Sequence, residues 1–165
     1  FLYLRKYGVA KKLIHALKYK GNQSVGVFLG KWFGSVLKEK DMFNTIDFIV
    51  PVPLHVSKLK KRGYNQLTTF GLSLSVVLNV EYVPDVLKRL SISKTQTNKG
   101  RFDRFFNINT KFNLTNLLFF ENKHILLIDD VITTGATLEA CCIELQRAKN
   151  IRISIVTMAF TEKNS

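Results

Sequence analysis

Two adjacent carboxylates, Asp129 and Asp130, carry the clearest chemical signal in this sequence. They follow an apolar run at residues 125–128, which is typical of a strand buried on both faces of a parallel sheet. The hydroxyl-rich turn T-T-G-A-T at residues 133–137 comes next and leads into a helical pattern that includes Leu138. This order predicts two carboxylates at the carboxyl end of a strand, next to a helix N-terminus that presents free N–H groups.

The combination suits a phosphorylated sugar. A helix N-terminus and threonine hydroxyls donate hydrogen bonds to a phosphate, and Gly135 allows the backbone to approach it closely. Two carboxylates beside a phosphate would repel it unless they bound something else, such as sugar hydroxyls or a magnesium ion. The alternative interpretation is a buried strand and a capped helix that bind no ligand. A P-loop is excluded because the sequence contains no G-x-x-x-x-G-K-[ST].

A second functional loop is predicted after another candidate for a buried strand, D-F-I-V-P at residues 47–51. Pro51 and Pro53 cannot continue a central strand, so the chain is expected to leave the sheet there. The strongly basic segment K-L-K-K-R-G at residues 58–63 follows and is predicted to be a loop. His55 lies between them and either acts on a ligand or makes a hydrogen bond that stabilises the turn. Ligands of parallel α/β sheets bind beyond the carboxyl ends of the strands, so the loops after both strands are expected at one edge.

The remaining elements are predicted from their periodicity. Apolar spacing indicates helices at residues 3–20, 23–39 and 64–79, and strands at 83–90 and 151–160, with a small strand between 111 and 120. The second helix is predicted to bury Val27, Phe28, Trp32, Phe33, Val36 and Leu37. Its glycines at 26, 30 and 34 recur every four residues, which favours close helix packing over chemistry.

Strands that alternate with helices predict an α/β fold, with a mainly parallel, twisted sheet flanked by helices. We expect a single domain over residues 1–165, with a helical N-terminal part at 1–45 and the ligand-binding core at 46–165. Residues 91–109 are polar, basic and without periodicity. A segment of this kind in a compact domain is typical of a functional lid or a disordered insert.

Charge and hydrophobicity narrow the class of protein. Twenty-five Lys and Arg against 12 Asp and Glu give a net charge of +13, which favours polyanionic partners, although solvated lysines account for part of this excess. No apolar run approaches the roughly 20 residues of a membrane span and no signal peptide is recognisable, so we expect a cytoplasmic protein without membrane insertion. Cys141 and Cys142 are adjacent, which suits core packing better than a metal site or a disulfide framework.

The stretch I-D-D-V-I-T-T-G-A-T-L at residues 128–138 resembles the 5-phosphoribosyl 1-pyrophosphate (PRPP) signature of type I phosphoribosyltransferases. Three further segments match in order: K-Y-K-G at 18–21, D-F-I-V-P-V-P-L-H at 47–55 and K-K-R-G-Y-N-Q at 60–66. Together they resemble the ComF family, phosphoribosyltransferase-like proteins linked to DNA uptake in bacteria. ComF proteins usually begin with a four-cysteine zinc ribbon. This sequence contains none, so we expect no zinc site here, and the ribbon either precedes Phe1 or is lacking in this member.

The resemblance implies a type I phosphoribosyltransferase-like fold with a mobile active-site lid at residues 91–109, and it implies a role for several residues. The PRPP-binding residues would be Asp129, Asp130, Val131, Thr133, Thr134, Gly135, Ala136 and Thr137, with the two aspartates on the ribose hydroxyls. The pyrophosphate loop would be Val52, Pro53, Leu54 and His55. Basic and lid contacts would come from Lys60, Arg62, Asn65, Gln96 and Asn107. Arg101 and Arg104 would be catalytic together with the aspartates.

Two functions follow from the resemblance as hypotheses. The first is an enzyme of the glycosyltransferase class that transfers a phosphoribosyl group from PRPP to an unidentified acceptor. Mg²⁺, held indirectly through PRPP, Asp129 and Asp130, and basic residues would neutralise the departing pyrophosphate while the closed lid excludes water. The second is a protein that binds single-stranded DNA during uptake, with vestigial or regulatory PRPP binding. Its partners would then include single-stranded DNA and proteins of the competence machinery.

Overall fold

The computed structural model describes residues 2–3, 8–90 and 112–161. The strands in these ranges are β1 (Leu2–Tyr3), β2 (Phe48–Pro51), β3 (Glu81–Tyr82), β4 (Leu87–Arg89), β5 (Phe112–Leu114), β6 (His124–Ile132) and β7 (Arg152–Phe160). The helices are α1 (Val9–Tyr19), α2 (Ser24–Lys38), α3 (Val56–Arg62), α4 (Leu67–Leu78) and α5 (Ala136–Leu145). Short 3-10 turns lie at Asp41–Phe43 and Leu118–Phe120. The predicted lid at residues 91–109 lies outside the described ranges.

A parallel sheet forms the centre of the fold. Its strand order is β1-β7-β6-β2-β3, and each neighbouring pair runs parallel. A separate ribbon is formed by β4 and β5, which pair antiparallel with Arg89 opposite Phe112. Residues 125–128 of β6 are completely buried, as expected for a central strand between two layers of helices. The predicted α/β architecture with a parallel sheet is confirmed.

The strand that carries the two aspartates is longer than predicted. β2 pairs with β6 only as far as Pro51, which lies opposite Ile128, whereas β7 pairs with β6 as far as Ile132. Asp129 and Asp130 therefore lie within β6 rather than beyond its end. Because β2 leaves the sheet at Pro51, as predicted, the edge of β6 that faced β2 is open beside the two aspartates.

The buried side of α2 differs from the predicted one. Phe28, Trp32 and Val36 are 60%, 47% and 48% exposed, so these three predictions are wrong. The buried side chains are Val25, Leu29, Phe33 and Leu37. The reason is the row of buried glycines at 26, 30 and 34, whose missing side chains let α2 pack directly on α4. The close packing predicted for these glycines is confirmed. Because the glycine side of α2 faces α4, the side that carries Phe28, Trp32 and Val36 stays exposed.

The basic segment that was predicted to be a loop forms the helix α3. His55 caps its first turn, because the imidazole Nδ1 accepts a hydrogen bond from the Ser57 N–H at 3.2 Å. Gly63 ends it in a left-handed conformation with φ of 81°, and the three basic residues of the last turn favour the negative end of the helix dipole. The following helix, predicted from residue 64, starts only at Leu67.

Two short segments also depart from the predicted elements. The strand predicted at residues 83–90 is replaced by β3 at the sheet edge and β4 in the ribbon. β1 was not predicted, since two residues are too few to show a period. Cys141 is buried and Cys142 half-buried, both as free thiols, which confirms the predicted packing role. None of the helices in the described ranges is long and apolar enough to cross a membrane.

His124 is a packing residue at the amino end of β6, far along the strand from the aspartates. The ring is 6% exposed, with Nδ1 2.8 Å from Thr45 Oγ1 and Nε2 2.9 Å from Ser154 Oγ. Burial, and then the positive charge of Arg152, lowers the pKa of His124. The ring joins three segments of the chain, so His124 has a packing role.

Candidate functional site

A cavity of about 590 Å³ opens at the carboxyl edge of the sheet, where β2 ends beside β6. Asp129 and Asp130 lie in its wall, and residues 52–54 of the turn after β2 form another part of that wall. Its cationic lining residues are Lys18, Lys58, Lys61, Arg62 and Arg89. The two predicted loops therefore meet at one site, as the topology of a parallel sheet requires.

The two aspartates have different partners on opposite faces of β6, because successive side chains of a strand alternate in direction. Asp130 meets the Lys18 ammonium at 2.8 Å and accepts a hydrogen bond from the Gln66 amide at the same oxygen, Oδ2. Asp130 is only 8% exposed and Gln66 only 4%. One aspartate is thus held as a buried, paired carboxylate by α1 and by the residue that precedes α4.

Asp129 is in a less favourable electrostatic position than Asp130. Its Oδ1 accepts a hydrogen bond from the Asp130 N–H at 2.8 Å. Burial, and then the negative charge of Asp130, raises the pKa of Asp129 to about 7, against the opposing effects of that hydrogen bond and of Lys18 and Arg89. A ligand that donates hydrogen bonds or brings a cation would favour the ionised form of this carboxyl.

The turn after β6 forms a small second pocket that adjoins the cavity. It has a volume of about 40 Å³ and shares Asp129, Val131 and Thr137 with the larger space. Gly135 adopts a left-handed φ of 82° immediately before α5, and no side chain fills the space beside it. Thr134 Oγ1 lies 3.4 Å from the Ala136 N–H. The pocket has the polarity and position of a cradle for one anionic group.

The proline turn at residues 52–54 is held in place by a backbone hydrogen bond, and its residues line the cavity. The Val52 N–H donates to the Ile128 carbonyl at 2.9 Å, and this bond continues the pairing of β2 and β6 by one step. Val52 is buried, whereas Pro53 and Leu54 are partly exposed. His55 does not line the cavity, since its side chain caps α3. Of the two roles left open for this histidine, the structure favours the turn-stabilising one.

Comparisons with known proteins agree with this architecture. The sequence profile of the Phosphoribosyl transferase domain matches residues 30–165. This chain belongs to the phosphoribosyl transferase domain family. Competence protein F of Haemophilus influenzae is 36% identical over 91 residues, which cover 54% of this chain and 40% of that protein. DNA utilization protein YhgH of Escherichia coli K12 is 32% identical over 91 residues, 55% of this chain and 39% of that protein.

The matched stretch spans about two-fifths of the length of these curated relatives, and the chain is ComF-like over about half of its own length. Among solved structures, glutamine PRPP amidotransferase from Bacillus subtilis, in complex with ADP and GMP, aligns with a TM-score of 0.56. It is 14% identical and the match covers 88% of this chain and 30% of that one, so the similarity concerns the fold. The predicted type I phosphoribosyltransferase-like fold is confirmed.

The structure of this phosphoribosyl transferase domain gathers many of the predicted site residues and leaves others apart. The predicted residues that line the cavity or its small extension are Val52, Pro53, Leu54, Arg62, Asp129, Asp130, Val131, Thr133, Thr134, Gly135, Ala136 and Thr137. Lys60 does not line the cavity, whereas its neighbours Lys58 and Lys61 do, because α3 is a helix rather than a loop. Asn65 Oδ1 accepts from the Leu67 N–H at 3.1 Å at the start of α4. Gln96, Arg101, Arg104 and Asn107 lie outside the described residues.

Several residues of the site were not predicted as functional. These residues, which line the cavity, are Lys18, Tyr19, Lys58, Lys61, Gln66 and Arg89. Lys18 and Gln66 belong to segments that match the ComF pattern, so a signal was present, but their common contact with Asp130 joins positions 64 residues apart or more. Arg89 comes from the ribbon, and its guanidinium lies 5.8 Å from the centre of the Phe112 ring.

The carboxylate oxygens that could hold a divalent cation at this site come from the acid pair. Within the described ranges, no three His, Cys, Asp or Glu side chains come together to hold a metal. Asp130 Oδ2 is already bound by Lys18 and Gln66, so Asp129 and the remaining oxygen of Asp130 are the carboxylate atoms available. Mg²⁺ prefers oxygen ligands in octahedral geometry and is commonly bound by one or two carboxylates plus substrate phosphates.

Proposed function

We propose that this protein binds PRPP together with Mg²⁺ and transfers the phosphoribosyl group to an acceptor. The observation that carries the proposal is the convergence of an acid pair, an anion cradle and a cationic wall on one cavity. A sugar that carries a phosphate at one end, a diol in the middle and a pyrophosphate at the other end needs these three features in this order. The small pocket takes the 5-phosphate, the aspartates take the hydroxyls, and the proline turn faces the pyrophosphate.

The charges of the site support the same ligand. Five basic residues and two acidic ones line the described part of the cavity, and Lys18 and Asp130 offset each other. Lys58, Lys61, Arg62 and Arg89 leave a positive excess beside the turn at residues 52–54. Such an excess favours a ligand with several negative charges and attracts it from solution.

The chemical step follows from these positions. The bond between ribose C1 and the pyrophosphate oxygen breaks, and its electron pair leaves with pyrophosphate. A new bond forms between C1 and the acceptor, which gives up a proton. The basic wall stabilises the charge that develops on pyrophosphate, while the aspartates fix the ribose by its hydroxyls. When bound, Mg²⁺ would supply further neutralisation of the pyrophosphate oxygens.

Calorimetric titration with PRPP in the presence of Mg²⁺ tests the proposal. We expect binding by the parent protein and at least about 100-fold weaker binding by Asp129→Asn/Asp130→Asn, because hydrogen bonds to charged groups contribute about 1.5–3 kcal/mol each. The matched control Asp41→Asn/Asp85→Asn removes the same charge from exposed positions and should bind as the parent does. Absence of binding by the parent, or equal binding by the acid-pair variant, would overturn the proposal.

A second candidate function, binding of single-stranded DNA, is favoured by one surface feature. Tyr19 is 68% exposed at the rim of the cavity, with its ring 4.9 Å from the His15 ring and 5.5 Å from the Arg62 guanidinium. Exposed aromatic rings beside basic side chains are the usual contacts of single-stranded nucleic acids. The relatives named for competence and for DNA utilization agree with this candidate.

Fluorescence anisotropy with a labelled oligothymidylate tests this second function. Tyr19→Ala should weaken binding about tenfold, since stacking of one base contributes about 1–3 kcal/mol. Phe119→Ala is the control, because Phe119 is 45% exposed and lies next to Phe48 at the amino end of β2. Affinity that does not fall with rising salt, or that is equally reduced by both substitutions, would count against DNA binding at this rim.

A further inference from the structure

The last turn of α1 is joined to the site by three contacts. The Lys18 ammonium pairs with Asp130 at 2.8 Å. The Tyr64 hydroxyl donates to the carbonyl of Leu17, and the Arg62 guanidinium lies over the Tyr19 ring. These contacts connect the end of α1, residues 17–19, with Asp130 of β6 and with the segment at residues 60–66. The first helix is therefore a wall of the cavity rather than a separate layer.

Asp130 is the point on which both segments converge. Its Oδ2 takes the Lys18 ammonium and the Gln66 amide, and the Gln66 carbonyl oxygen accepts in turn from Arg62 Nη1. Two donors on one oxygen fix the plane of the carboxylate. Asp130 Oδ1 has no hydrogen bond among the described residues, so it is the oxygen that remains for a ligand.

The charges explain why a cation is needed at this point. An anion that is 8% exposed is costly to bury unless it is paired, and Gln66 supplies a hydrogen bond without a charge. Lys18 is the basic residue in direct contact with this carboxylate within the described ranges. Without the Lys18 ammonium, Asp130 would lose one of the two donors that fix the plane of its carboxylate, and a carboxylate that turns toward water misdirects Oδ1.

We propose that Lys18 is a positioning residue, which holds the Asp130 carboxylate in the orientation in which Oδ1 receives a hydroxyl of the sugar. This inference rests on the proposed PRPP site and adds α1 to it. Lys18 acts through Asp130 and not by contact with the ligand. The role requires a cation at this position, so arginine should replace lysine and an uncharged side chain should not.

Calorimetric titration with PRPP and Mg²⁺ of the full chain tests this role in two backgrounds. In the parent, we expect Lys18→Met to weaken binding at least about tenfold, the usual effect of removing an outer-shell partner of a ligand-binding group. Lys18→Arg should bind within about threefold of the parent, since it restores the same cation. Lys12→Met, which removes a charge from an exposed position of the same helix, should bind as the parent does. In Asp130→Asn, Lys18→Met should cause no further loss, because its action passes through that carboxylate.

The outcomes separate this proposal from the proposed function. Equal binding by Lys18→Met and the parent would overturn the role of Lys18 and leave the PRPP site intact. An equal loss in both backgrounds would also overturn it, since Lys18 would then touch the ligand directly. Failure of the parent to bind PRPP would overturn the proposed function and this role with it. Lys18→Gln serves as the uncharged variant if Lys18→Met does not give a cooperative thermal unfolding transition.

Discussion

Replacement of Asp129 by Asn is expected to stabilise the ligand-free protein at pH 8 by up to about 4 kcal/mol. Burial and the neighbouring Asp130 raise the pKa of Asp129 from the ordinary 3.8 to about 7 in the folded state. That difference corresponds to about 4 kcal/mol, since each pKa unit is worth about 1.4 kcal/mol. Asparagine carries no charge, and its carbonyl oxygen still accepts the hydrogen bond from the Asp130 N–H.

The number of protons bound at Asp129 in the folded and unfolded states determines how stability changes with pH. Between pH 3.8 and about 7 the folded protein binds more protons at this position than the unfolded chain does. The contribution of Asp129 to stability is therefore fully present below pH 3.8 and is lost as the pH rises through about 7. The advantage of Asp129→Asn should be close to zero near pH 4, grow with pH and level off above about 7. Urea unfolding at pH 4.5 and pH 8 without divalent cations measures both values.

Asp47 is the matched control because its pKa moves in the opposite direction. The hydrogen bond from the His124 N–H, supported by Lys123, lowers the pKa of Asp47 against the opposing effect of its partial burial. Its stabilising effect is present above pH 3.8 and is lost as the pH falls through the lowered value. Asp47→Asn should therefore destabilise the protein at pH 8, where Asp129→Asn stabilises it. A less stable Asp129→Asn protein at pH 8 would show that this carboxylate is well paired in the empty site.

A carboxylate that weakens the fold is consistent with selection for a ligand rather than for stability. Natural proteins retain destabilising groups where activity requires them. The contrast within the acid pair sharpens this point, because among the described residues Asp130 meets an ammonium at 2.8 Å, whereas the donor that meets Asp129 is a backbone N–H at 2.8 Å. Sugar hydroxyls or a cation would supply the missing partners of Asp129 when the proposed ligand binds.

The features that could be predicted from the sequence are those encoded by local spacing. The apolar run before Asp129, the proline stop at Pro51 and the glycine before α5 each depend on a few adjacent residues, and the structure confirms all three. The turn at residues 133–135, which follows β6, and the turn after Pro51 meet at one edge because both follow parallel strands. The parallel arrangement of the strands was therefore sufficient to predict which two turns form the main walls of the cavity.

The features that sequence did not predict depend on contacts between distant segments. Lys18 and Gln66 were parts of matched motifs, but their shared partner, Asp130, is distant from both along the chain. The exposed side of α2 was predicted wrongly because large apolar side chains were taken as a stronger sign of burial than glycines. Trp32 remains 47% exposed, since burial of this helix is decided by how closely its glycines approach α4.

Gly30→Val is expected to destabilise the protein by at least about 3 kcal/mol, because insertion of atoms into a packed interface costs about 1–3 kcal/mol or more. A Cβ at Gly30 would lie 2.6 Å from the Phe70 carbonyl oxygen and 2.6 Å from Ser73 Cβ. Both distances are far below van der Waals contact, and the first involves backbone that cannot rotate away. The two branches of valine add to this overlap, so α2 must move away from α4.

The displaced interface includes the part of α4 where Phe70 and Leu74 are completely buried. Thermal and urea unfolding measure the loss, with Ser35→Val as the control, because this position is on the exposed side of the same helix. The control should lose less than about 1 kcal/mol, the range of ordinary helix propensities. Gly30→Ala should fall between them, since its Cβ meets the same atoms while alanine gains about 1 kcal/mol in helix propensity over glycine. A Gly30→Val protein as stable as the control would mean that α2 and α4 are further apart than the structure places them.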